Sequence, residues 1–205
     1  MQLAVSSRAS LPEYQVRGFA YVASLPDPGT ENKPLPLPPS AKKILQLRFH
    51  DVDDIEMLAP PYRKCRAPQT EHIMEIIRFF TEIQKTESGG DDQFAILVHC
   101  ESGLSRSPAT AIIGLLCLGY DGPTAFEIVC NAEPRSLPNR RMLRLADAIF
   151  KNTNLQQIAE GRRVALFEYA GYEDPVVKLD REYKKSFLYQ WDRVVRLLTP
   201  RRRRK

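Results

Sequence analysis

The most constraining feature of this chain is an abrupt change of character at residue 99. Phe94-Ala95-Ile96-Leu97-Val98 is short, apolar and rich in strand formers, as a strand covered on both faces must be. Residues 109–119 are almost wholly apolar and long enough for a buried helix. Ser107-Pro108, just before them, reads as an N-cap followed by an N1 proline. Between the two apolar runs lies His99-Cys100-Glu101-Ser102-Gly103-Leu104-Ser105-Arg106. A buried strand that passes through so short a loop into a buried helix is the working unit of a parallel α/β fold. The loop then sits at a helix N-terminus, where unpaired N–H groups and the helix dipole favour an anion.

A cysteine and an arginine bracket five residues of that loop, and Cys100 is the only one of the four cysteines with an arginine six positions on. A thiol at a helix N-terminus beside a guanidinium ionises more readily, and the thiolate is the nucleophilic form. Arg106 offers a planar fork of donors that matches two phosphate oxygens, a match lysine does not provide. Gly103 permits the tight turn that points successive N–H groups of residues 101–105 inward. A cysteine is more often just a small buried apolar residue, but the strand and helix flanks weigh against that here. The chemistry that fits is phosphoryl transfer to sulfur, followed by hydrolysis of the thiophosphate.

At these residues the chain resembles the Cys-based protein tyrosine phosphatases, in particular their compact dual-specificity-like branch. The signature of that family is His-Cys-x5-Arg followed by Ser or Thr, matched by His99, Cys100, Arg106 and Ser107. The resemblance implies that Cys100 is the nucleophile, that Arg106 binds phosphate, and that the Ser107 hydroxyl steadies the thiolate. It also implies that His99 orients the loop, and that Glu101, Ser102, Gly103, Leu104 and Ser105 wrap the phosphate. The implied fold is a three-layer α/β sandwich with a largely parallel central sheet flanked by helices.

A leaving oxygen needs a proton, so a carboxylic acid is expected opposite the cradle. Residues 44–49 alternate apolar and polar like a half-buried strand and end in His50-Asp51-Val52-Asp53-Asp54. Asp51 best fits the place of the family's acid, with Asp53 and Asp54 as competitors. A compact bacterial phosphatase-like group is similar here, with a Leu-x-Phe-x-Asp pattern matched by Leu47, Phe49 and Asp51, and a Ser-Leu-x-x-Pro pattern matched by Ser24, Leu25 and Pro28. Downstream, Pro138-Asn139 opens a helical pattern carried by Met142, Leu145, Ala146 and Ile149. The family has a similar asparagine that braces the phosphate loop, while Asn139 is equally a good N-cap. Arg135, Arg140 and Arg141 stand near it as contacts for an anionic substrate or as a solvated face. His50 and the aspartates do not close a recognisable ligand set, so neither a metal nor a cofactor is expected.

The remaining residues bound the setting. The hydrophobic fraction of 43% is ample for a core. Four irregularly spaced cysteines read as reduced thiols of a cytoplasmic protein, with Cys117 and Cys130 buried and inert. No apolar run is long enough for a transmembrane segment. The net charge of +5 is uneven: residues 1–160 carry 17 Lys/Arg against 19 Asp/Glu, and residues 161–205 carry 13 against 6. These features divide the chain into a phosphatase domain over 1–155 and a C-terminal extension over 156–205, with a helix over 180–198 and a basic tail over 201–205. Prolines 34, 36, 38 and 39 read as a connector. The tail is expected to make at most weak contact with acidic surfaces.

The expected substrate is a phosphorylated protein or peptide, at phosphotyrosine and then phosphoserine or phosphothreonine. The alternatives are a catalytically weak phosphate-binding module, or a phosphatase for inositol lipids or RNA 5′-phosphates. Against a polyanion stands Glu101 in a cradle that carries no lysine.

Overall fold

The computed structural model describes residues 1–15, 17–53, 64–88, 94–151, 153–171 and 181. Four strands form one wholly parallel sheet in the order β1-β4-β2-β3, with β1 at Gln2–Ser7, β2 at Tyr21–Leu25, β3 at Lys43–Gln46 and β4 at Ala95–Cys100. The apolar run of β4 lies inside the sheet, with Ile96, Leu97 and Val98 fully buried. Cys100 ends that strand in register with Ser7 of β1 and Leu25 of β2. The residues after all four strands therefore converge at one edge, the usual ligand side of a parallel sheet.

Helices cover one face of the sheet. α2 (Thr70–Glu87) turns Ile73, Ile76, Phe79, Phe80 and Ile83 inward, the apolar stripe of an amphipathic helix. α3 (Arg106–Cys117) is buried at every position from Arg106 to Leu115 and is the central helix of this layer. The Phe80 ring lies against Gly114, where a Cβ would come within 2.3 Å of it. α4 (Gly122–Ala132) starts at Asp121, whose side chain accepts from the Thr124 N–H at 2.8 Å. α5 (Arg140–Phe150) and α6 (Leu155–Ala170) complete the layer.

The opposite face is covered by less regular chain. The short helix α1 (Leu11–Tyr14) and Phe19 pack on Val22 and Leu97, and Leu35, Leu37 and Ala41 of the proline-rich segment lie against them. This segment thus belongs to the third layer and does more than connect.

Three local features depart from the sequence reading. β1 arises from residues with little periodicity: it is an edge strand in which only Val5 and Ser6 are buried. α3 begins at Arg106 with Ser105 at the N-cap, two residues before the expected N-cap at Ser107. The Ser107 hydroxyl is already engaged with Cys100, so it does not cap, and Pro108 falls within the first turn, where no partner for its N–H is lost. Beyond residue 155 the chain runs on as α6, whose first N–H groups, from Leu155 and Gln156, donate to the Asp147 carboxylate of α5 at 2.8 and 2.9 Å. The helix expected over 180–198 and the tail over 201–205 lie outside the described residues, Arg181 apart. No described helix is long and apolar enough to cross a membrane.

Candidate active site

The cradle is built on Cys100, which is fully buried at the end of β4. Its sulfur accepts from the Gly103 N–H at 3.2 Å and shares a hydrogen bond with the Ser107 hydroxyl, also at 3.2 Å. Gly103 has φ +80°, and a Cβ there would meet Ser7 N at 2.8 Å and Ser6 C at 2.9 Å. Only glycine satisfies both the left-handed backbone and this close approach to β1. Arg106, 2% exposed, sends its Nη1 between the Phe49 carbonyl and Asp27 Oδ1, each at 2.7 Å. Its Nε is buried with no hydrogen-bond partner, the Asp51 carboxylate standing 3.8 Å away. A buried guanidinium N–H that makes no hydrogen bond among the described residues, in one loop with a buried sulfur that accepts from a backbone N–H, is an arrangement an oxyanion completes.

Asp51 lies beside this cradle. Its Oδ1 accepts from the Ser105 hydroxyl at 2.6 Å and from Asn139 Nδ2 at 2.9 Å. Asn139 caps α5 through Oδ1, which accepts from the Met142 N–H at 3.0 Å, while its amide nitrogen donates to Asp51. The backbone around it fastens the cradle as well, through Leu137 N–H to the Leu104 carbonyl at 2.7 Å and Asn139 N–H to the Ser105 carbonyl at 3.2 Å. Asp53 instead pairs with Arg140 at 2.7 Å, both largely buried, and Asp54 lies outside the described residues. A cavity of about 240 Å³ opens between these groups, with Leu104, Leu137, Arg140 and Arg163 in its wall.

Glu101 and Ser102 point away from the sulfur chemistry. The Glu101 carboxylate pairs with Arg8 at 3.1 Å and accepts from the Asp27 N–H at 3.3 Å. Its charge is therefore neutralised within the protein and carries no argument against a polyanionic substrate. The Ser102 hydroxyl accepts from the Leu104 N–H at 3.3 Å, local to the loop. Arg135 pairs with Glu133 and is exposed, whereas Arg141 donates to the Pro68 carbonyl at 2.7 Å.

Asp27, Arg8 and Arg48 are the site residues that sequence reasoning missed. Asp27 follows β2 in what reads as an ordinary Pro-Asp-Pro-Gly turn. The one available signal was positional: a carboxylate just past the C-terminal end of a parallel strand lies on the ligand side of the sheet. Arg48 donates to the Thr30 hydroxyl at 2.8 Å and pins residues 26–34 across the rim as a strap.

His99 is fully buried under the cradle, and neither ring nitrogen has a hydrogen-bond partner of full geometry. Burial pushes its imidazole down to about 4, so it is neutral at physiological pH. Burial also pushes the Cys117 thiol up to about 11 and raises that of Cys130, which keeps both protonated.

No family model matches the sequence, and no curated protein does. Solved structures do match the fold. That of human DUSP28 aligns with a TM-score of 0.51 at 17% identity, over 72% of this chain and 93% of that one. The structure of Tk-PTP in its active form aligns with a TM-score of 0.50, also at 17% identity, over 74% and 93%. At such identity the likeness concerns the backbone, and the fold of this chain is the parallel α/β fold of the dual-specificity and tyrosine phosphatases.

Proposed function

We propose that the protein is a Cys-based phosphatase that hydrolyses phosphomonoesters in proteins, at phosphotyrosine and also at phosphoserine and phosphothreonine. The observation that carries this reading is the buried Cys100 sulfur, which accepts from the Gly103 N–H and shares a hydrogen bond with the Ser107 hydroxyl, in one loop with Arg106, whose buried Nε makes no hydrogen bond among the described residues. The similarity to compact bacterial phosphatase-like proteins, through Leu47-x-Phe49-x-Asp51, belongs to the same proposal.

In the first step the Cys100 thiolate attacks phosphorus, forming an S–P bond as the P–O bond to the substrate breaks. Arg106 and the N–H groups of residues 101–105 hold the three equatorial oxygens. Asp51 gives its proton to the leaving oxygen, whose hydrocarbon body the Leu104 and Leu137 side of the neighbouring cavity receives. In the second step water attacks phosphorus and yields its proton to Asp51. The S–P bond breaks, releasing inorganic phosphate and restoring the thiolate, which the Ser107 hydroxyl stabilises. His99, neutral and buried, holds the strand end beneath the nucleophile.

A second reading has one observation in its favour: Asp51 Oδ1 is held by two hydrogen bonds and Oδ2 faces Arg106 Nε at 3.8 Å, so both carboxyl oxygens are engaged within the protein. A cradle with no free acid binds phosphate without turning it over. An aryl-phosphate assay separates the two readings. Cys100→Ser is expected to lower turnover by roughly 10³-fold or more. Asp51→Asn is expected to suppress poor leaving groups by roughly 10²-fold or more while sparing activated ones. Wild-type protein without Cys100-dependent turnover would establish the binding module instead.

A further inference from the structure

We propose that Asp27 is a positioning residue for Arg106: it fixes the plane of the guanidinium so that the Nε edge faces the cradle. The inference rests on the cradle being an oxyanion site, as proposed above, and adds a residue to it. A guanidinium is flat and its donors lie in a rigid fork, so rotation about its own stem decides which edge an anion meets. Arg106 Nη1 is held between two acceptors that arrive from different strands. The Phe49 carbonyl comes from the chain after β3, and Asp27 Oδ1 from the chain after β2, each at 2.7 Å. A single acceptor sets a distance, whereas two set an orientation. With Nη1 so held, the buried Nε makes no hydrogen bond among the described residues and faces Asp51 Oδ2, at the side of the cradle, at 3.8 Å.

Asp27 is itself fixed on both sides of its backbone. Its N–H donates to Glu101 Oε1 at 3.3 Å, and Glu101 is held by Arg8. Its carbonyl accepts from the Thr30 hydroxyl at 2.6 Å and from Arg48 Nη1 at 3.4 Å. The Asp27 side chain is 40% exposed and is not among the core residues, so this network does not serve packing. It does place one carboxylate oxygen on one guanidinium nitrogen.

The role has an opposite that the same contact allows. A carboxylate on Arg106 repels an incoming anion, so Asp27 acting as a plug would weaken phosphate binding. Positioning needs an acceptor oxygen, which asparagine supplies; plugging needs the charge, which asparagine removes. Inorganic phosphate binding to the full chain carrying Cys100→Ser, measured by calorimetry, therefore discriminates without any turnover. Adding Asp27→Ala is expected to weaken binding about ten- to a hundredfold, the worth of a charge-assisted contact, while Asp27→Asn stays within about threefold of the parent. Thermal melts of the variants are expected to match the parent, since Asp27 is a partly exposed loop residue.

Tighter binding in both variants, equal loss in both, or no change in either overturns the positioning role while leaving the cradle intact as a phosphate site. A parent that fails to bind phosphate overturns the reading of the cradle itself, and this role with it.

Discussion

The floor of the cradle and the strap that closes its rim are held by different forces. The floor, residues 100–107, is contiguous in sequence, is buried at Cys100, Gly103, Arg106 and Ser107, and is fastened through backbone groups. The strap, residues 26–34, is fastened through charged side chains: Asp27 to Arg106, Glu101 to the Asp27 N–H, Arg8 to the Lys33 and Pro34 carbonyls, and Arg48 to Thr30. Buried backbone contacts tolerate almost no change of shape, whereas partly exposed ion pairs contribute little to stability and are screened by salt. The floor should therefore respond to substitution in both stability and activity, and the strap in affinity alone.

The sharpest way to break this contrast is Gly103→Ala. The left-handed backbone costs a side-chain-bearing residue roughly 1–2 kcal/mol, and pressing a Cβ to within 2.8 Å of Ser7 N adds roughly 1–3 kcal/mol of overpacking. We expect a loss of about 4 kcal/mol in urea unfolding, together with loss of phosphate binding. An alanine variant that unfolds within half a kcal/mol of wild type, an amount expected of surface sites at about ±0.5 kcal/mol, would place the floor in the same class as the strap.

A slightly smaller effect is expected from His99, and it depends on pH. Burial holds this imidazole at about 4 in the folded protein, below its ordinary value of 6.5. Above 6.5 both folded and unfolded forms are neutral, and the full stability is present. As pH falls from 6.5 towards 4, the unfolded chain takes up a proton that the folded one refuses, so stability is lost across that window and no further below it. The loss at pH 4 is about 3 kcal/mol, at 1.36 kcal/mol for each pKa unit. His99→Asn removes it, so the stability difference between wild type and variant should shift across pH 6.5–4 and stay flat above 7. Taking the difference cancels the carboxylates and His72, which titrate in the same range in both proteins. A difference that does not change with pH would mean that His99 is reached by water.

The same contrast explains what could be read in advance. β4, the cradle and α3 are legible because each rests on neighbours within a few residues: an apolar run, a glycine at a forced turn, a helix of buried residues. Asp51 and Asn139 were legible as types at strand and helix ends, although their contact with each other joins residues 88 apart and left no local trace. The start of α3 was misplaced because neither serine caps it through its side chain: the hydroxyls of Ser105 and Ser107 go to Asp51 and Cys100, so the local signal of a serine before a proline did not mark the N-cap. β1 and the packing of Leu35 and Leu37 were hidden for a different reason. β1 is a partly buried edge strand, and Leu35 and Leu37 are half-buried within an irregular run of prolines, so neither carries an amphipathic period. The strap was least legible of all, since its Pro-Asp-Pro-Gly turn has the composition of any turn and only the sheet order brings Asp27 to Arg106.

The smallest expected effect tests the strap alone. Arg48 donates to the Thr30 hydroxyl and the Asp27 carbonyl from a side chain that is 21% exposed, and its ion-pair distance to Glu31 is 4.0 Å. Arg48→Ala should cost under about 1 kcal/mol of stability, as partly exposed pairs do. Its effect on phosphate binding should be a few-fold at low salt and should shrink as ionic strength rises to about 1 M, where the screening length is about 3 Å. Salt also weakens the Arg106–phosphate attraction, so the comparison is between variant and wild type at each salt concentration. A ratio that stays constant with salt would mean that Arg48 holds the strap through its neutral hydrogen bonds to Thr30 and the Asp27 carbonyl, and that strap and floor are fastened by the same kind of force after all.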